Sequence, residues 1–315
     1  MKAAYINKYG SPDVFELGEL KTPEVKPDQV LVKIFASSIN PMDYKTRQGN
    51  HKYILGSHFP IVLGYDFAGI VYKAGSDVTR FKEGDKVHGR SDMKYGRTYA
   101  QYGVTSENTL TFFSKKLSFE EAATVPLAAL TALQALRNKG GIKKGGKVLV
   151  TGASGGVGHF AVQMIKYYGA HCTAICSTPH IEYVKTLNPD EIIDYRTRDF
   201  HNLKDQFDII FDAAGKSSYL KCKHMLKRNG VFITTLPRPK LLFHKFISLF
   251  NKGIVKTLIM KAVYQDMDFV NQLIDDGYIK VRIDKIFDLD NISEAHKYAE
   301  LGHTEGKIVI KIVHE

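Results

Sequence analysis

Cysteine is scarce in this chain and tryptophan is absent: three cysteines and no tryptophan occur in 315 residues. No two of the cysteines, Cys172, Cys176 and Cys222, form a CxxC pair, which favours a reduced intracellular protein over a disulfide framework. Apolar runs are also short, well below the roughly 18–20 residues of a membrane span. The N-terminal MKAAYINKYG has no apolar signal core. We therefore expect a soluble, cytoplasmic protein.

Acidic residues are outnumbered: 33 Asp and Glu against 44 Lys and Arg give a formal net charge of +11. Such a charge suits nucleic acid, an anionic membrane surface or a phosphorylated cofactor. The sequence has no zinc-finger, RNP or helix-turn-helix pattern. We therefore expect no nucleic-acid partner.

The order of strand and helix signals divides the chain into two modules. Residues 1–120 carry short strand signals such as VLVKIFASSI, broken by turns such as GSP, KPD and EGD. From Lys147 onward, short apolar strands alternate with helices, which is typical of a parallel, doubly wound sheet. Strand signals then return near the C-terminus. We predict an α/β protein in which a cofactor domain, residues 121–280, is inserted into a β-rich domain formed by residues 1–120 and 281–315.

The stretch TGASGGVGHF, residues 151–160, lies between the strand-like KVLV and a helix-like run. Backbone N–H groups at such a turn, and the positive end of the following helix, suit a pyrophosphate. The first glycine permits the tight turn, the middle pair permits close approach of the ligand, and the last permits packing of the helix. We expect a dinucleotide to contact the loop residues Gly152, Ser154, Gly155, Gly156, Val157 and Gly158.

The residues after the second strand of this domain indicate which dinucleotide binds. NAD sites usually end that strand with a carboxylate for the ribose hydroxyls, whereas AHCTAICS ends in a cysteine followed by Ser177 and Thr178. His180 follows, and Tyr195 with Arg196 ends the next strand, so a hydroxyl-rich, partly cationic patch is available for a 2′-phosphate. We predict NADPH, bound by Ser177, Thr178, His180 and Tyr195. The alternative is that His180 and Arg196 are ordinary surface residues.

The glycine loop fits two lineages of dinucleotide-binding enzymes. The pattern TGxxxGxG is typical of short-chain dehydrogenases, and GxxGxxG is typical of medium-chain reductases. Short-chain enzymes use a Tyr-xxx-Lys pair, and Tyr219 with Lys223 matches it, but this pair lies in a helix between strands of a chain with 17 tyrosines. The β-rich module before the loop has no place in that architecture, so we favour the medium-chain interpretation.

Five stretches, in order along nearly the whole chain, match the pattern of one family. They are SSINPMDYKTRQG (37–49), PIVLGYDFAGIVYKAGSDVTRFKEGDKV (60–87), AATVPLAALTAL (122–133), VLVTGASGGVGHFAVQMIK (148–166) and EAHKYAELGHTEGKIVIKI (294–312). The chain resembles the medium-chain dehydrogenase/reductases, in particular the zinc-free quinone oxidoreductases, which include zeta-crystallin, plant enone and alkenal reductases and chloroplast-envelope-type homologues. The resemblance implies a GroES-like catalytic domain and a Rossmann NADP-binding domain. It also implies reduction of quinones or of the C=C bond of α,β-unsaturated carbonyls.

The zinc alcohol dehydrogenases of the same superfamily are the alternative enzyme class. Their metal polarises the alcohol or carbonyl oxygen and needs a Cys and a His with further ligands. By the resemblance, Asn40 stands where that Cys belongs, and Gly64-Tyr65-Asp66 stands where the family has Gly-His-Glu. The β-rich module contains no cysteine, so we expect no metal site.

Without a metal, the cofactor supplies the hydride, and the protein supplies positioning and donors for the negative charge that forms on the acceptor. The resemblance implies that Asn40 faces the nicotinamide or its ribose and that Thr131 lies near the nicotinamide.

The same resemblance implies three substrate-side residues, Tyr44, Lys45 and Tyr65, with Lys45 stabilising an enolate oxygen and Tyr65 donating its hydroxyl. The alternative is that Lys45 forms a structural ion pair with Asp43 and that Tyr44 packs in the core.

One segment, residues 238–261, combines six Lys or Arg with bulky apolar residues and no acid. Leu242, Phe246, Leu249 and Phe250 share a helical face, which suits a lid over the substrate or a peripheral contact with an anionic membrane. The alternative is an insertion that packs on the cofactor domain or on a partner subunit. A second hypothesis for the whole chain is an NADPH-binding protein with little catalysis that acts through a membrane or a protein partner. We expect a homodimer or a monomer.

Overall fold

The computed structural model describes residues 1–235 and 253–313. The chain divides into two units. Unit 1 comprises Met1–Leu127 and Ala262–Glu315, and unit 2 comprises Ala128–Lys261. These boundaries differ from those suggested by the sequence, which fall after residues 120 and 280.

Unit 1 is built mainly from antiparallel strands. Its strands are β1 (Lys2–Ile6), β2 (Phe15–Glu19), β3 (Gln29–Ser38), β4 (Ile61–Val62), β5 (Asp66–Ala74), β6 (Lys86–Arg90), β7 (Tyr102–Ser106), β8 (Leu110–Phe112), β15 (Ile283–Asp288) and β16 (Lys307–Lys311). They form a three-stranded sheet, β2-β1-β4, and a seven-stranded sheet, β15-β16-β3-β5-β6-β8, in which β7 pairs with β3. The β15–β16 pair is parallel, and the β3–β5 and β5–β6 pairs at the centre are antiparallel.

The helices of unit 1 explain where the second boundary falls. They are α1 (Pro41–Arg47), α2 (Lys52–Leu55), α3 (Phe119–Ala122), α8 (Tyr264–Asp275) and α9 (Ile292–Glu300). Asn271 of α8 donates from Nδ2 to the Phe112 carbonyl at 2.8 Å, and the Asp268 carboxylate accepts from the Thr111 hydroxyl. Because α8 is bonded to β8 in this way, it belongs to unit 1, although in the sequence it follows the strands of the cofactor domain.

The central strands of unit 1 place their apolar residues in its core. Val32 of β3 lies opposite Val71 of β5, and both are almost completely buried. Ile34 and Ile6 pack in the same core. Buried and partly exposed residues alternate over residues 32–36 of β3, as the period of a strand requires, whereas both ends of the strand are buried on both faces.

The spacing of Ser118 and Glu121 predicts a helix start, and the structure confirms it. The Ser118 hydroxyl accepts from the Glu121 N–H at 3.2 Å, and the Glu121 carboxylate accepts from the Ser118 N–H at 2.9 Å. The next helix, α4 (Pro126–Leu133), continues as a π-helix over Gln134–Gly140. The chain passes from unit 1 into unit 2 within α4.

Unit 2 is a parallel sheet with helical crossovers. Its strands are β9 (Lys147–Thr151), β10 (His171–Cys176), β11 (Glu191–Asp194), β12 (Phe207–Asp212), β13 (Leu226–Thr234) and β14 (Ile254–Thr257), and its further α-helices are α5 (Gly158–Tyr167), α6 (Ile181–Thr186) and α7 (Tyr219–Cys222). The order is β11-β10-β9-β12-β13-β14, with every neighbouring pair parallel. The strand order reverses at β9, as in the dinucleotide-binding fold. The predicted α/β fold with a doubly wound parallel sheet is confirmed.

The basic segment, residues 238–261, is described in part. Residues 238–252 lie outside the described residues. The remainder contains β14, which pairs with β13 and buries Val255, while Lys256 donates to the Lys139 carbonyl at 2.7 Å. This part of the segment is therefore a strand of the parallel sheet rather than a surface helix. Within the described ranges, no helix has both the length and the apolar character to cross a membrane.

Candidate functional site

The glycine loop of unit 2 connects β9 to α5. The chain turns at Gly152, whose φ of +66° lies in the left-handed region that favours glycine. A Cβ added there would approach the Cβ of Ala214 to 2.9 Å. Both the backbone conformation and the neighbouring strand end therefore require a glycine at this turn.

Gly158 determines how closely α5 approaches this turn. A Cβ at Gly158 would lie 1.9 Å from the Gly152 carbonyl oxygen, so any side chain would push the helix away. Gly155 differs, because among the described residues an added Cβ would come no closer than 3.5 Å to a neighbouring atom, the same carbonyl oxygen. The loop is thus tightly packed on the helix side and open at Gly155.

The first turn of α5 has no side-chain cap. The residue before the helix is Val157, whose side chain has no oxygen to accept from the N–H groups of the first turn, and the His159 N–H donates to the Gly155 carbonyl at 3.0 Å. Ser154 is buried, whereas Gly156 is partly exposed. Uncapped N–H groups beside a loop that permits close approach suit the phosphates of a dinucleotide. The loop therefore fits such a cofactor.

The predicted ligands of the adenosine ribose lie at the ends of β10 and β11. These strands pair in parallel with Cys176 opposite Asp194, and the Tyr195 N–H donates to the Cys176 carbonyl at 3.1 Å. Ser177 is buried at the end of β10, and His180 directly precedes α6. The Tyr195 side chain is 46% exposed. The parallel pairing thus brings the four predicted ligands to one edge of the sheet.

Asp194 is a residue of this edge that the sequence reasoning missed. Its carboxylate accepts from the Thr178 hydroxyl and, at 2.9 Å, from the Arg196 N–H. The Thr178 hydrogen bond lowers the pKa of Asp194, so the carboxylate is charged at neutral pH. The signal was present in the sequence, because EIID ends the strand next to β10 and parallel strands end at the same edge.

Asp212 and Thr131 are both buried within unit 2. Asp212, at the end of β12, accepts from the Thr151 hydroxyl at 2.8 Å and from the Ser217 N–H at 3.2 Å, and it is fully buried. These bonds tie the ends of two strands to the following loop. Thr131 is buried in α4.

A buried polar network lies at the edge of the large sheet in unit 1. Asp66 is fully buried and accepts from Asn40 Nδ2 at 2.9 Å, and Lys307 Nζ lies 3.6 Å from the same carboxylate oxygen. The other Asp66 oxygen accepts from the Leu127 N–H at 3.0 Å. Burial raises the pKa of Asp66 and lowers that of Lys307, and the opposite charge of each partner counters the effect of burial.

Both polar atoms of the Asn40 side chain form hydrogen bonds in this network. Its Nδ2 donates to Asp66, and its Oδ1 accepts from Lys307. Both polar atoms of the Asn40 amide are therefore engaged within unit 1, and its predicted contact with the cofactor stays a prediction. Lys307 was missed in the sequence, although a lysine at the start of the apolar run KIVIKI is a detectable signal of a buried cation.

Helix α1 carries Tyr44 and Lys45. Its Asp43 is fully buried and accepts from the Asn40 N–H at 2.7 Å, so this carboxylate caps its own helix rather than pairing with Lys45. Burial raises the pKa of Asp43 to about 7. Tyr44 is partly buried, which raises its pKa. Burial lowers the pKa of His51, and the positive charge of Lys45 acts in the same direction.

Tyr65 precedes β5 and lies beside Arg90 at the end of β6. The Arg90 guanidinium carbon is 4.7 Å from the centre of the Tyr65 ring. Burial raises the pKa of Tyr65 to about 12, and the charge of Asp43 acts in the same direction. At neutral pH the Tyr65 hydroxyl is therefore protonated and available as a donor.

By the resemblance to the zinc alcohol dehydrogenases, Asn40, Tyr65 and Asp66 stand at positions that hold metal ligands in those enzymes. Among residues 1–235 and 253–313, no three His, Cys, Asp or Glu side chains are grouped as a metal site requires. The three cysteines are free and buried. The buried Lys307 ammonium already neutralises Asp66, which disfavours a second cation beside it.

Two family models match the chain: "Zinc-binding dehydrogenase" over residues 187–310 and "Alcohol dehydrogenase GroES-like domain" over residues 26–134. A chloroplast envelope quinone oxidoreductase homolog of Arabidopsis thaliana is 34% identical, covering 99% of this chain and 98% of that protein. An NADPH-dependent alkenal/one oxidoreductase, chloroplastic, from the same plant is 34% identical over 98% of this chain and 79% of its own length. The solved structure of the quinone oxidoreductase from Coxiella burnetii superposes with a TM-score of 0.93 at 33% identity, covering 99% of each chain.

The names of the relatives overturn one expectation. The two Arabidopsis proteins and other relatives are named as chloroplast or mitochondrial proteins, which points to an organelle. The expectation of a cytoplasmic protein is wrong. Free cysteines and short apolar runs are equally compatible with the cytoplasm and with the reducing interior of an organelle. Composition therefore does not distinguish these two locations.

Proposed function

Because the chain belongs to the medium-chain dehydrogenase/reductase family, in its quinone oxidoreductase branch, we propose that it reduces quinones or the C=C bond of α,β-unsaturated carbonyls with NADPH. The observation that carries the proposal is the glycine loop between β9 and α5, at the point where the strand order of unit 2 reverses. Its close packing at Gly158 and its uncapped helix start suit dinucleotide phosphates.

The family binds a nicotinamide cofactor, and we propose NADPH as the form used here. No carboxylate follows β10 directly, and the name of one Arabidopsis relative includes NADPH. The Asp194 carboxylate accepts from the Thr178 hydroxyl, so its negative charge would repel a phosphate bound beside Thr178. We therefore propose that the 2′-phosphate binds on the side of Tyr195, Arg196 and His180.

When bound, NADPH supplies the hydride. The residues of unit 1 are proposed to hold the acceptor: Tyr44 and Lys45 on α1, and Tyr65 before β5. In a quinone or an enone, conjugation moves the electron pair to an oxygen, so hydrogen-bond donors and a solvent proton complete the reduction. Asn40, held by Asp66 and Lys307, fixes the start of α1 and so positions Tyr44 and Lys45.

The proposed mechanism uses no zinc. The side chains at the family's metal positions are an amide, a phenol and a carboxylate that already has a buried ammonium partner. Such a donor set suits hydrogen bonding to an anionic oxygen rather than the binding of a soft or borderline cation.

One set of assays tests the proposal. Purified protein with chelator present is given NADPH or NADH together with ortho-quinones, para-quinones, 2-alkenals, enones or simple alcohols. We expect turnover of quinones or enones, with a higher kcat/KM for NADPH than for NADH. Oxidation of alcohols that is lost on adding chelator would overturn the proposal. Replacing Tyr195 by Phe and Arg196 by Gln should raise the KM for NADPH and leave that for NADH unchanged.

The competing function is an NADPH-binding protein with little catalysis. Tight binding of NADPH without turnover of any acceptor would favour it. Sedimentation with anionic vesicles then tests membrane contact through residues 238–261, and salt-sensitive binding is the expected result. Light scattering of the purified protein distinguishes a homodimer from a monomer.

A further inference from the structure

Arg90, the last residue of β6, has a guanidinium with no partner for its hydrogen-bond donors. Across residues 1–235 and 253–313, no carboxylate lies within 4.0 Å and no acceptor is in hydrogen-bonding geometry, and the buried Nε is unsatisfied. The side chain is only partly exposed. A partly buried charge without a partner is unusual in a folded protein and calls for an explanation.

The other enclosed arginines of unit 1 differ from Arg90. Arg47 is fully buried, donates to the Gly10 carbonyl at 2.7 Å and pairs with the Glu300 carboxylate. Arg80 stacks on Tyr264, as Arg90 stacks on Tyr65, but Arg80 also donates to the Glu107 carbonyl at 2.9 Å. Arg47 and Arg80 therefore have hydrogen-bond acceptors for their guanidinium groups, and stacking on a tyrosine does not replace these acceptors.

The position of Arg90 in the sheet relates it to the proposed substrate side. Arg90 lies directly opposite Asp66 in the β5–β6 register, and opposed residues of neighbouring strands share a face of the sheet. Arg90 is therefore on the face that carries Asp66, the carboxylate that Asn40 and Lys307 contact. The Asp66 carboxylate forms its ion pair with Lys307, so Arg90 is not needed to neutralise it.

Tyr65 supplies a second donor at the same place. Its hydroxyl makes no hydrogen bond within the described part of the chain, and its ring lies under the Arg90 guanidinium. A guanidinium and a phenol side by side, with no acceptor of their own, recognise an anionic oxygen.

We propose that Arg90 and Tyr65 form a binding site for an anionic oxygen of the acceptor, a role that rests on the proposed reductase function. The oxygen has two sources. It is either a permanent carboxylate on the acceptor or a carbonyl oxygen that becomes negative during the reaction. In an enone, hydride forms a C–H bond at the β carbon, the C=C π pair moves between the α and carbonyl carbons, the C=O π pair moves to the oxygen, and solvent then protonates the α carbon. In a quinone, hydride forms an O–H bond at one oxygen, conjugation carries the electron pair to the other oxygen, and that oxygen takes a proton from solvent.

The test compares Arg90→Gln with Arg80→Gln, a matched control that removes a stacked arginine elsewhere in unit 1. Each variant is assayed with a neutral para-quinone and with the same quinone carrying a carboxylate. If the carboxylate is bound, Arg90→Gln raises the KM of the charged quinone roughly 10- to 100-fold and leaves that of the neutral quinone unchanged. If the developing charge is bound, kcat falls about 100-fold with both quinones. Arg80→Gln matches the parent protein in both assays.

Two further variants keep the proposal testable if Arg90→Gln fails to fold. Tyr65→Phe retains the stacked ring and should change the same kinetic constant in the same direction, a higher KM or a lower kcat, by about two- to tenfold. Arg90→Lys retains the charge but loses the fork of donors, and its loss should be intermediate.

The proposal is overturned if Arg90→Gln is folded and matches the parent protein with both quinones. It is also overturned if the variant only weakens NADPH binding, measured by fluorescence titration. Absence of turnover by the parent protein with either quinone contradicts the reductase function instead, so the two failures are distinguishable.

Discussion

Replacement of Lys307 by Met tests whether opposite charges hold the buried network of unit 1. Lys307 is 4% exposed and Asp66 is fully buried, and their charged atoms are 3.6 Å apart. Methionine keeps the length and apolar volume of the lysine stem, so no large cavity forms. The variant therefore removes a charge and its donors with little other change.

The expected cost follows from what the substitution leaves behind. Removing one partner of a buried ion pair destabilises a protein by about 3–5 kcal/mol, because the other charge stays buried without compensation. The Ile39 carbonyl, which accepts from Lys307 at 3.0 Å, loses a donor as well. A matched control is Lys311→Met in the same strand. Lys311 lies 3.4 Å from Glu120, but both side chains reach solvent, so its loss should cost under about 1 kcal/mol.

The cost should also depend on pH with a defined sign. Burial raises the pKa of Asp66, and loss of Lys307 raises it further. A carboxyl group whose pKa is raised by folding stabilises the fold most fully below its unfolded pKa and loses that contribution as pH rises. The destabilisation by Lys307→Met should therefore be smaller at pH 5 than at pH 7.

Urea unfolding followed by circular dichroism at the two pH values measures these differences. Adding Asp66→Asn to Lys307→Met should recover at least half of the loss, because the Asp66 charge that lost its partner is then removed as well. The reasoning is refuted if Lys307→Met costs no more than Lys311→Met, or if its cost grows as pH falls.

Three further predictions concern the loop, a buried histidine and the cysteines. Gly158→Ala should lower the melting temperature and abolish NADPH binding. Gly155→Ala, whose Cβ would make only an ordinary contact of 3.5 Å with the Gly152 carbonyl oxygen, should leave the melting temperature unchanged; thermal unfolding and fluorescence titration measure both. Burial lowers the pKa of His296 to about 3, so stability is lost as pH falls below the unfolded value of 6.5. His296→Phe should therefore gain about 2 kcal/mol relative to the parent protein between pH 7 and pH 5 in urea unfolding; an equal loss in both proteins contradicts this. Burial raises the pKa of all three cysteines to about 11 or 12, so iodoacetamide at pH 8 should label them, by mass spectrometry, only after unfolding.

Local patterns made the parallel sheet and the loop predictable from the sequence. The run KVLVTG followed by glycines and a helix specifies strand, turn and helix within a few residues, and Gly152 and Gly158 are demanded by contacts inside that short stretch. The same holds for the capping box at Ser118 and Glu121. Such features depend on neighbours in the sequence, which is why they can be inferred without the fold.

Features that depend on distant contacts were not predictable. Helix α8 joins unit 1 through bonds from Asn271 and Asp268 to residues more than 150 positions away. Lys307 meets Asn40 and Asp66 only because β16 pairs with β3. Long-range pairing decides which polar groups share the interior, and one sequence without its fold does not specify that pairing.

The most direct test of the account is transfer of deuterium from NADPH deuterated at the C4 position that donates the hydride. The protein, with chelator present, reduces a 2-alkenal or an enone, and mass spectrometry locates the label in the product. Hydride transfer from NADPH to a conjugated acceptor predicts one deuterium on the carbon β to the carbonyl group and a solvent proton on the α carbon. A product without deuterium, or turnover that ceases on adding chelator, would contradict it.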